Sequence, residues 1–124
     1  MTWGQEIMRA FLLAFGATEI ITNIVYLTRK DGLRLARKQH RELPDNISGT
    51  NIRLKVICML FIGIAFFSCS LLSYIFRMYL HNTILLSTIF FALYGITEAF
   101  YYRYWKTTGF AVVTILLLIF SFLI

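Results

Sequence analysis

Four apolar stretches that are almost free of charge constrain the fold of this chain more than any other feature. They run from Ala10 to Thr28, Val56 to Phe76, Thr83 to Tyr102 and Phe110 to Ile124. Together they contain only two charged residues, Glu19 and Glu98. Charged residues make up 15% of the whole chain, whereas an ordinary soluble domain has about 25%. An apolar helix of about 20 residues crosses the hydrocarbon core of a bilayer, so the pattern indicates a membrane protein.

We therefore predict an all-α, polytopic fold with four transmembrane helices, at about residues 10–28, 56–76, 83–102 and 108–124. The 124 residues leave no room for a second folded unit, so residues 1–124 are expected to form a single transmembrane domain. The fourth stretch is the shortest. From Gly109 it rises about 24 Å as a helix, which spans a bilayer only if the helix stands upright or the bilayer thins.

The positive charges are distributed unevenly between the connecting segments. Of the 12 Lys and Arg residues, all but Arg9 and Arg77 lie in segments 29–55 and 103–109. By the positive-inside rule both segments are expected in the cytoplasm, which leaves both termini extracytoplasmic in a multi-pass protein of the plasma membrane. The charges lie next to helix ends, where anionic headgroups of the inner leaflet are the expected counter-charge and nucleic acid is not.

The basic loop 29–55 is predicted to contain a short amphipathic helix near residues 32–43, which Pro44 would end. Its basic residues recur at helical spacing, namely Arg34, Arg37, Lys38 and Arg41. Two interpretations remain open for this surface. The basic residues could contact lipid headgroups or an acidic partner, or they could serve only to fix the orientation of the protein in the membrane.

Helix packing in lipid relies on small residues that let backbones approach closely. Such residues recur at helical spacing in the first three helices: Ala10, Ala14, Thr18 and Thr22; Ala65, Cys69 and Ser73; Thr88, Ala92, Gly95 and Ala99. We expect these three faces to form the helix interfaces. The fourth helix has fewer small residues and is expected to be peripheral or to face lipid.

The two glutamates within the apolar helices are the principal candidate site. A charged residue at the centre of a transmembrane helix costs about 2.5–3.5 kcal/mol, and such residues commonly mark a functional site. Each closes a tetrad of the form Gly-x-Thr-Glu, Gly16 to Glu19 in the first helix and Gly95 to Glu98 in the third. The tetrads could reflect an internal duplication or a coincidence between helices of similar composition.

The neighbours of each glutamate suggest a proton or cation site. Thr22 and Asn23 share a helix face with Glu19, whereas Tyr94 and Tyr101 lie near Glu98. A carboxylate among aromatic rings is suited to an organic cation through charge pairing and cation–π attraction. In the alternative interpretation, the rings belong to an interfacial belt and Glu98 pairs with Arg103 or with a cation of the basic loop.

Motifs for metal binding, cofactors or nucleophilic catalysis are absent from the sequence, so we expect neither a metal nor a cofactor, predict no catalytic residues, and do not expect an enzyme. Two functions remain. The first is a proton- or cation-coupled carrier or channel component, for which a homodimer would supply the cavity that four helices lack. The second is a non-catalytic accessory or regulatory subunit of a larger membrane complex.

The orientation is testable with reporter fusions. A reporter that is active only outside the cytoplasm should be active at the C-terminus and inactive when inserted in segment 29–55, because the basic segments are retained in the cytoplasm. A cytoplasmic reporter active at the C-terminus, or labelling of segment 29–55 from outside intact cells, would contradict this orientation.

Overall fold

The computed structural model describes residues 1–124 as an all-helical bundle without strands. The helices are α1 (Trp3–Thr28), α2 (Gly32–Gln39), α3 (Gly49–Ile75), α4 (His81–Tyr102) and α5 (Trp105–Leu123). All except α2 are long and apolar enough to cross a membrane. The prediction of an all-α protein with four candidate membrane-spanning helices is confirmed.

Each long helix begins before the apolar stretch that predicts it, because its first turns are polar. Thr2 caps α1: its side chain accepts from the backbone of Gln5, and the Gln5 side chain accepts from the backbone of Thr2. Ser48 caps α3 through the backbone N–H of Asn51. The polar first turn of α5 extends it to 19 residues, or about 28 Å of rise. The connection before it is therefore residues 103–104 rather than 103–109.

The helix predicted near residues 32–43 exists but ends at Gln39. The Arg37 guanidinium donates to the carbonyls of His40 (2.8 Å) and Leu43 (2.9 Å), which holds the chain in a turn before Pro44 is reached. Residues His40 and Leu43 are consequently buried. The predicted C-terminal boundary was wrong because the backbone turns after Gln39 and places these two side chains in the bundle, whereas a longer helix would have continued along its surface.

The long helices form two antiparallel pairs, α1 with α3 and α4 with α5, which meet where α3 packs on α4. Helix α2 lies against α1 and α3 near Tyr26 and Val56. We call this end of the bundle, where α1 and α4 finish and α3 and α5 begin, the basic end. The aromatic rings of the core come from all four long helices, namely Phe15, Phe66, Phe91 and Phe110. Helix α5 packs chiefly on α4 through its small residues, which include Ala111, Thr114 and Ser121.

In each helix pair, the two helices approach each other closely at the glycine of a Gly-x-Thr-Glu tetrad. A Cβ on Gly16 would lie 2.8 Å from the carbonyl oxygen of Gly63 in α3. A Cβ on Gly95 would lie 2.6 Å from the hydroxyl oxygen of Thr114 in α5. Only glycine permits both approaches, so the two tetrads occupy equivalent positions in the two pairs.

The remaining tetrad residues also have matching roles. The Thr18 and Thr97 side chains are exposed and donate to the carbonyls four residues earlier, at 2.8 Å and 2.7 Å, whereas both glutamates are buried. The small-residue face predicted for the first helix was wrong: its members Ala10, Ala14 and Thr18 are exposed. The face that packs on α3 contains Gly16 together with bulkier and polar residues, because Gly16 and Gly63 of α3 together permit the close approach.

Substitution of the α1 glycine tests this crossing. Gly16→Ala should destabilise the protein by about 1–3 kcal/mol, because the new methyl group would separate α1 from the α3 backbone. Gly109→Ala is the matched control, since a Cβ there meets nothing within 4 Å. Unfolding of both variants in detergent measures the difference, and equal stability would show that the helices do not cross at Gly16.

Candidate functional site

Glu98 binds the ammonium group of Lys55 inside the basic end of the bundle. The Nζ atom lies 2.9 Å from Oε1 and 3.0 Å from Oε2 of the carboxylate. The side chains are only 1% and 3% exposed, respectively. Since each charge is removed from water, each depends on the other for its stabilisation. The position that would suit an organic cation thus already contains an ammonium group of the chain itself.

Lys55 has two further kinds of partner. Its ammonium group lies 2.9 Å from Oε1 of Glu42, in the turn that follows α2. It also lies 3.8 Å from the ring centre of Phe110 and 5.1 Å from that of Tyr94, both within the range of cation–π attraction. One side chain therefore joins α3 to α4, to α5 and to the turn after α2.

The turn after α2 has an unusually acidic carboxyl group. Burial acts to raise the pKa of Glu42, but interaction with His40 and the adjacent ammonium group of Lys55 outweigh it and lower the pKa from 4.5 to about 2. Glu42 is therefore ionised at neutral pH. Its charge holds the turn against the bundle through Lys55.

Glu19 is buried without a cation. Its side-chain partners are two amides: Asn23 donates to Oε2 at 2.8 Å, and Gln39 lies 3.5 Å from Oε1. The residue is 7% exposed. Because α1 begins at Trp3, Glu19 lies about 5 Å of helical rise beyond the middle of α1, toward the basic end. A carboxyl group with amide donors alone can hold a proton or accept a small cation without breaking an ion pair.

His40 links the two glutamate sites. Its Nε2 lies 3.4 Å from Oδ1 of Asn23, and its Nδ1 lies 3.6 Å from Oε1 of Glu42. Both ring nitrogens thus face oxygen atoms, and a protonated ring would donate toward both. A chain of polar side chains, buried except for the half-buried Glu42, extends through Glu19, Asn23, His40, Glu42, Lys55 and Glu98, and we call it the polar chain.

The other predicted site residues are more peripheral. The Thr22 hydroxyl donates to the Thr18 carbonyl of its own helix, and Tyr101 is 69% exposed. Arg103 makes no ion pair with Glu98. Among the basic-loop residues, Arg34 pairs with Asp31 at 3.3 Å. The other three surround a cavity at the basic end, namely Arg37, Lys38 and Arg41.

A cavity of about 200 Å³ adjoins the ion pair of Lys55 and Glu98. Its lining combines aromatic and polar side chains from α3 and α4, including Asn51, Tyr94, Thr97 and Tyr101. It brings Tyr94 and Tyr101 to the side of Glu98, as their spacing on α4 predicts. The cavity therefore borders the ion pair on one side of the bundle.

The alternative in which Glu98 pairs with a cation of the basic loop is confirmed by Lys55, but neither Lys55 nor Glu42 was predicted as a site residue. Lys55 carries a recognisable signal, because it lies in register with the buried face of α3, which continues through Ile52, Met59 and Gly63. Glu42 and His40 carry no comparable signal. Their positions depend on the turn that Arg37 forms after α2, which hydropathy does not reveal.

Comparisons with protein families, with curated proteins and with solved structures find no match to this chain.

The Glu42 interaction predicts a pH-dependent stability. Because the pKa of Glu42 is lowered to about 2, its stabilisation is complete above about pH 4.5 and is lost as the pH falls through about 2. It amounts to on the order of 3 kcal/mol at neutral pH. Glu42→Gln should lower the unfolding midpoint in detergent at neutral pH and weaken its dependence on pH in this interval.

Asp45→Asn is the control for that experiment. Asp45 lies in the same segment as Glu42, but its side chain is 95% exposed. Its substitution should therefore change stability by less than about 1 kcal/mol. Equal effects of the two substitutions would contradict a specific interaction between Glu42 and Lys55.

Proposed function

We propose that the protein is a proton- or cation-coupled carrier or channel component in which Glu19 is the exchanging carboxyl group. The observation that carries this proposal is the burial of Glu19 among amide donors without a cation. A buried carboxyl group is expensive to maintain in a membrane helix, and one without a fixed counter-charge is free to exchange a proton or a cation.

The polar chain supports a route between Glu19 and the basic end. Its titratable members near that end are His40, Glu42 and Glu98, and Lys55 supplies a fixed positive charge. Asn23 positions Glu19 and His40, but its amide does not exchange protons readily. A proton that moves between these two groups would therefore travel through water beside Asn23. With His40 protonated, the two cations balance Glu42 and Glu98 in charge.

The two intramembrane glutamates differ in their ion pairing, and this difference suggests different roles. Glu98 accepts two hydrogen bonds from the ammonium group of Lys55. Protonation of Glu98 would break this ion pair and force Lys55 and Glu42 to rearrange. Glu19 can change its charge without that rearrangement. We infer that Glu98 positions the basic end, whereas Glu19 binds the transported proton or cation.

The second candidate function is a non-catalytic accessory or regulatory subunit. Tight helix crossings at Gly16 and Gly95 favour it, because they leave little space within either helix pair for a translocation path. A carrier of this size would need a second copy to enclose such a path. We accordingly propose a homodimer for the carrier, and a larger membrane partner for the subunit.

The orientation belongs to the same proposal. The basic end would face the cytoplasm of a cell whose plasma membrane contains the protein, with both termini outside. The polar chain would then open toward the cytoplasm, and the outer half of the bundle, which includes Met8 and Leu12 in its apolar core, would form the barrier.

Glu19→Gln is the decisive substitution. Glutamine keeps the size of the side chain and can still accept the hydrogen bond from Asn23 but cannot ionise, so the helices should assemble normally. Proton or cation flux into vesicles that contain the purified protein should fall to the level of protein-free vesicles. Thr18→Val is the matched control, because this adjacent hydroxyl is exposed and bonded within its own helix. Its flux should equal that of the parent.

Two outcomes would contradict the proposal, the first for the role of Glu19 and the second for the carrier. A pH-dependent flux that persists in Glu19→Gln would show that Glu19 is not part of the proton or cation path. Absence of flux in the parent, together with co-purification of a larger membrane protein in fixed proportion, would establish the subunit instead. A homodimer that purifies alone and transports would support the carrier.

A further inference from the structure

Four cationic side chains from two distant segments surround one cavity at the basic end. Arg37, Lys38 and Arg41 come from α2 and the turn after it, and Lys106 comes from the first turn of α5. Asp45 is the fifth lining residue, and the cavity has a volume of about 280 Å³. We call it the basic cavity. All five lining residues are charged, so the cavity favours a polar, anionic occupant.

The charges around the basic cavity are not balanced within the protein. Asp45 pairs with Arg37 at 3.0 Å, and Arg37 also donates to two backbone carbonyls. Lys38, Arg41 and Lys106 form no ion pair with any carboxylate. Three positive charges thus remain uncompensated, and a bound anion would relieve their mutual repulsion.

Another basic cavity at the same end provides a contrast. It has a volume of about 190 Å³, and its cations are Arg29, Lys30 and Arg53. Half of its lining residues are hydrophobic, and Arg29 is already paired with Asp31 at 3.2 Å. This second cavity has three cations instead of four and a smaller uncompensated charge, so it is a control for a specific site.

We propose that the basic cavity binds a phosphate group, carried either by a lipid headgroup or by a soluble phosphate compound. Lysine ammonium groups and arginine guanidinium groups are the side chains that bind phosphate oxygens. Trp105, whose ring centre lies 5.4 Å from Nζ of Lys106, is 73% exposed and suits the headgroup region of a membrane. Relative to the basic surface predicted from the sequence, this site adds Lys106 and omits Arg34.

A bound phosphate would connect the two helix pairs. Helix α2 packs on α1 and α3, whereas α5 packs chiefly on α4. The basic cavity lies between them, with cations from both sides. Binding is therefore expected to stabilise the assembled bundle, and this expectation does not depend on the proposed role of Glu19.

The experiment titrates the purified full chain in neutral detergent with short-chain phosphatidic acid, phosphatidylcholine or inorganic phosphate, and follows the unfolding midpoint. Phosphatidic acid should raise the midpoint, and phosphatidylcholine should not. The double variant Lys38→Gln/Lys106→Gln should bind about 25-fold more weakly, at about five-fold for each charge removed. Asp45→Asn removes the only negative charge of the cavity and should tighten binding.

The control Lys30→Gln/Arg53→Gln removes the same number of charges from the second cavity and should bind as the parent does. Stabilisation by phosphatidic acid alone would identify a lipid headgroup as the source, and stabilisation by inorganic phosphate as well would identify a soluble phosphate. Equal losses in the two double variants would show diffuse attraction and overturn the site. So would an unfolding midpoint that no phosphate compound raises.

Discussion

The ammonium group of Lys55 is the point at which the elements of the basic end meet. It pairs with Glu98 of α4 and Glu42 of the turn after α2, and it lies against the ring of Phe110 in α5. Removal of a charge at such a site leaves its partner buried and uncompensated, which costs several kcal/mol. The arrangement of α2, α4 and α5 around the start of α3 therefore depends on one side chain. At the opposite end, the buried guanidinium group of Arg9 pairs with Glu6 and donates to the carbonyl of Ser73.

Much of the fold is predictable because membrane helices leave a strong signal in hydropathy. Helix boundaries were less predictable, since polar turns such as Gly49–Lys55 extend a helix beyond its apolar part. The packing face of α1 was wrongly predicted because a periodic row of small residues, Ala10 to Thr22, outweighed the single glycine that makes the contact. In the candidate site, Glu19 and Glu98 stand out against an apolar background. Glu42 and His40 do not, since their burial arises from a turn.

The two Gly-x-Thr-Glu tetrads acquire a physical meaning from their equivalent positions. In each, glycine permits the helix crossing, threonine satisfies its hydroxyl within its own helix, and glutamate points into the bundle. The same local arrangement thus occurs in both helix pairs. What differs is the partner: amides for Glu19 and an ammonium group for Glu98. The two glutamates therefore occupy equivalent positions but have different electrostatic surroundings.

The separation of Lys55 and Glu98 along the chain bears on the order in which the protein is made. Glu98 lies 43 residues after Lys55, so a ribosome completes the lysine and the whole of α3 before the glutamate emerges. Until then, Lys55 has Glu42, which is synthesised earlier still, as its carboxylate partner. The counter-charge for Glu98 is therefore synthesised before the glutamate itself, and we expect the first helix pair to promote the membrane insertion of α4.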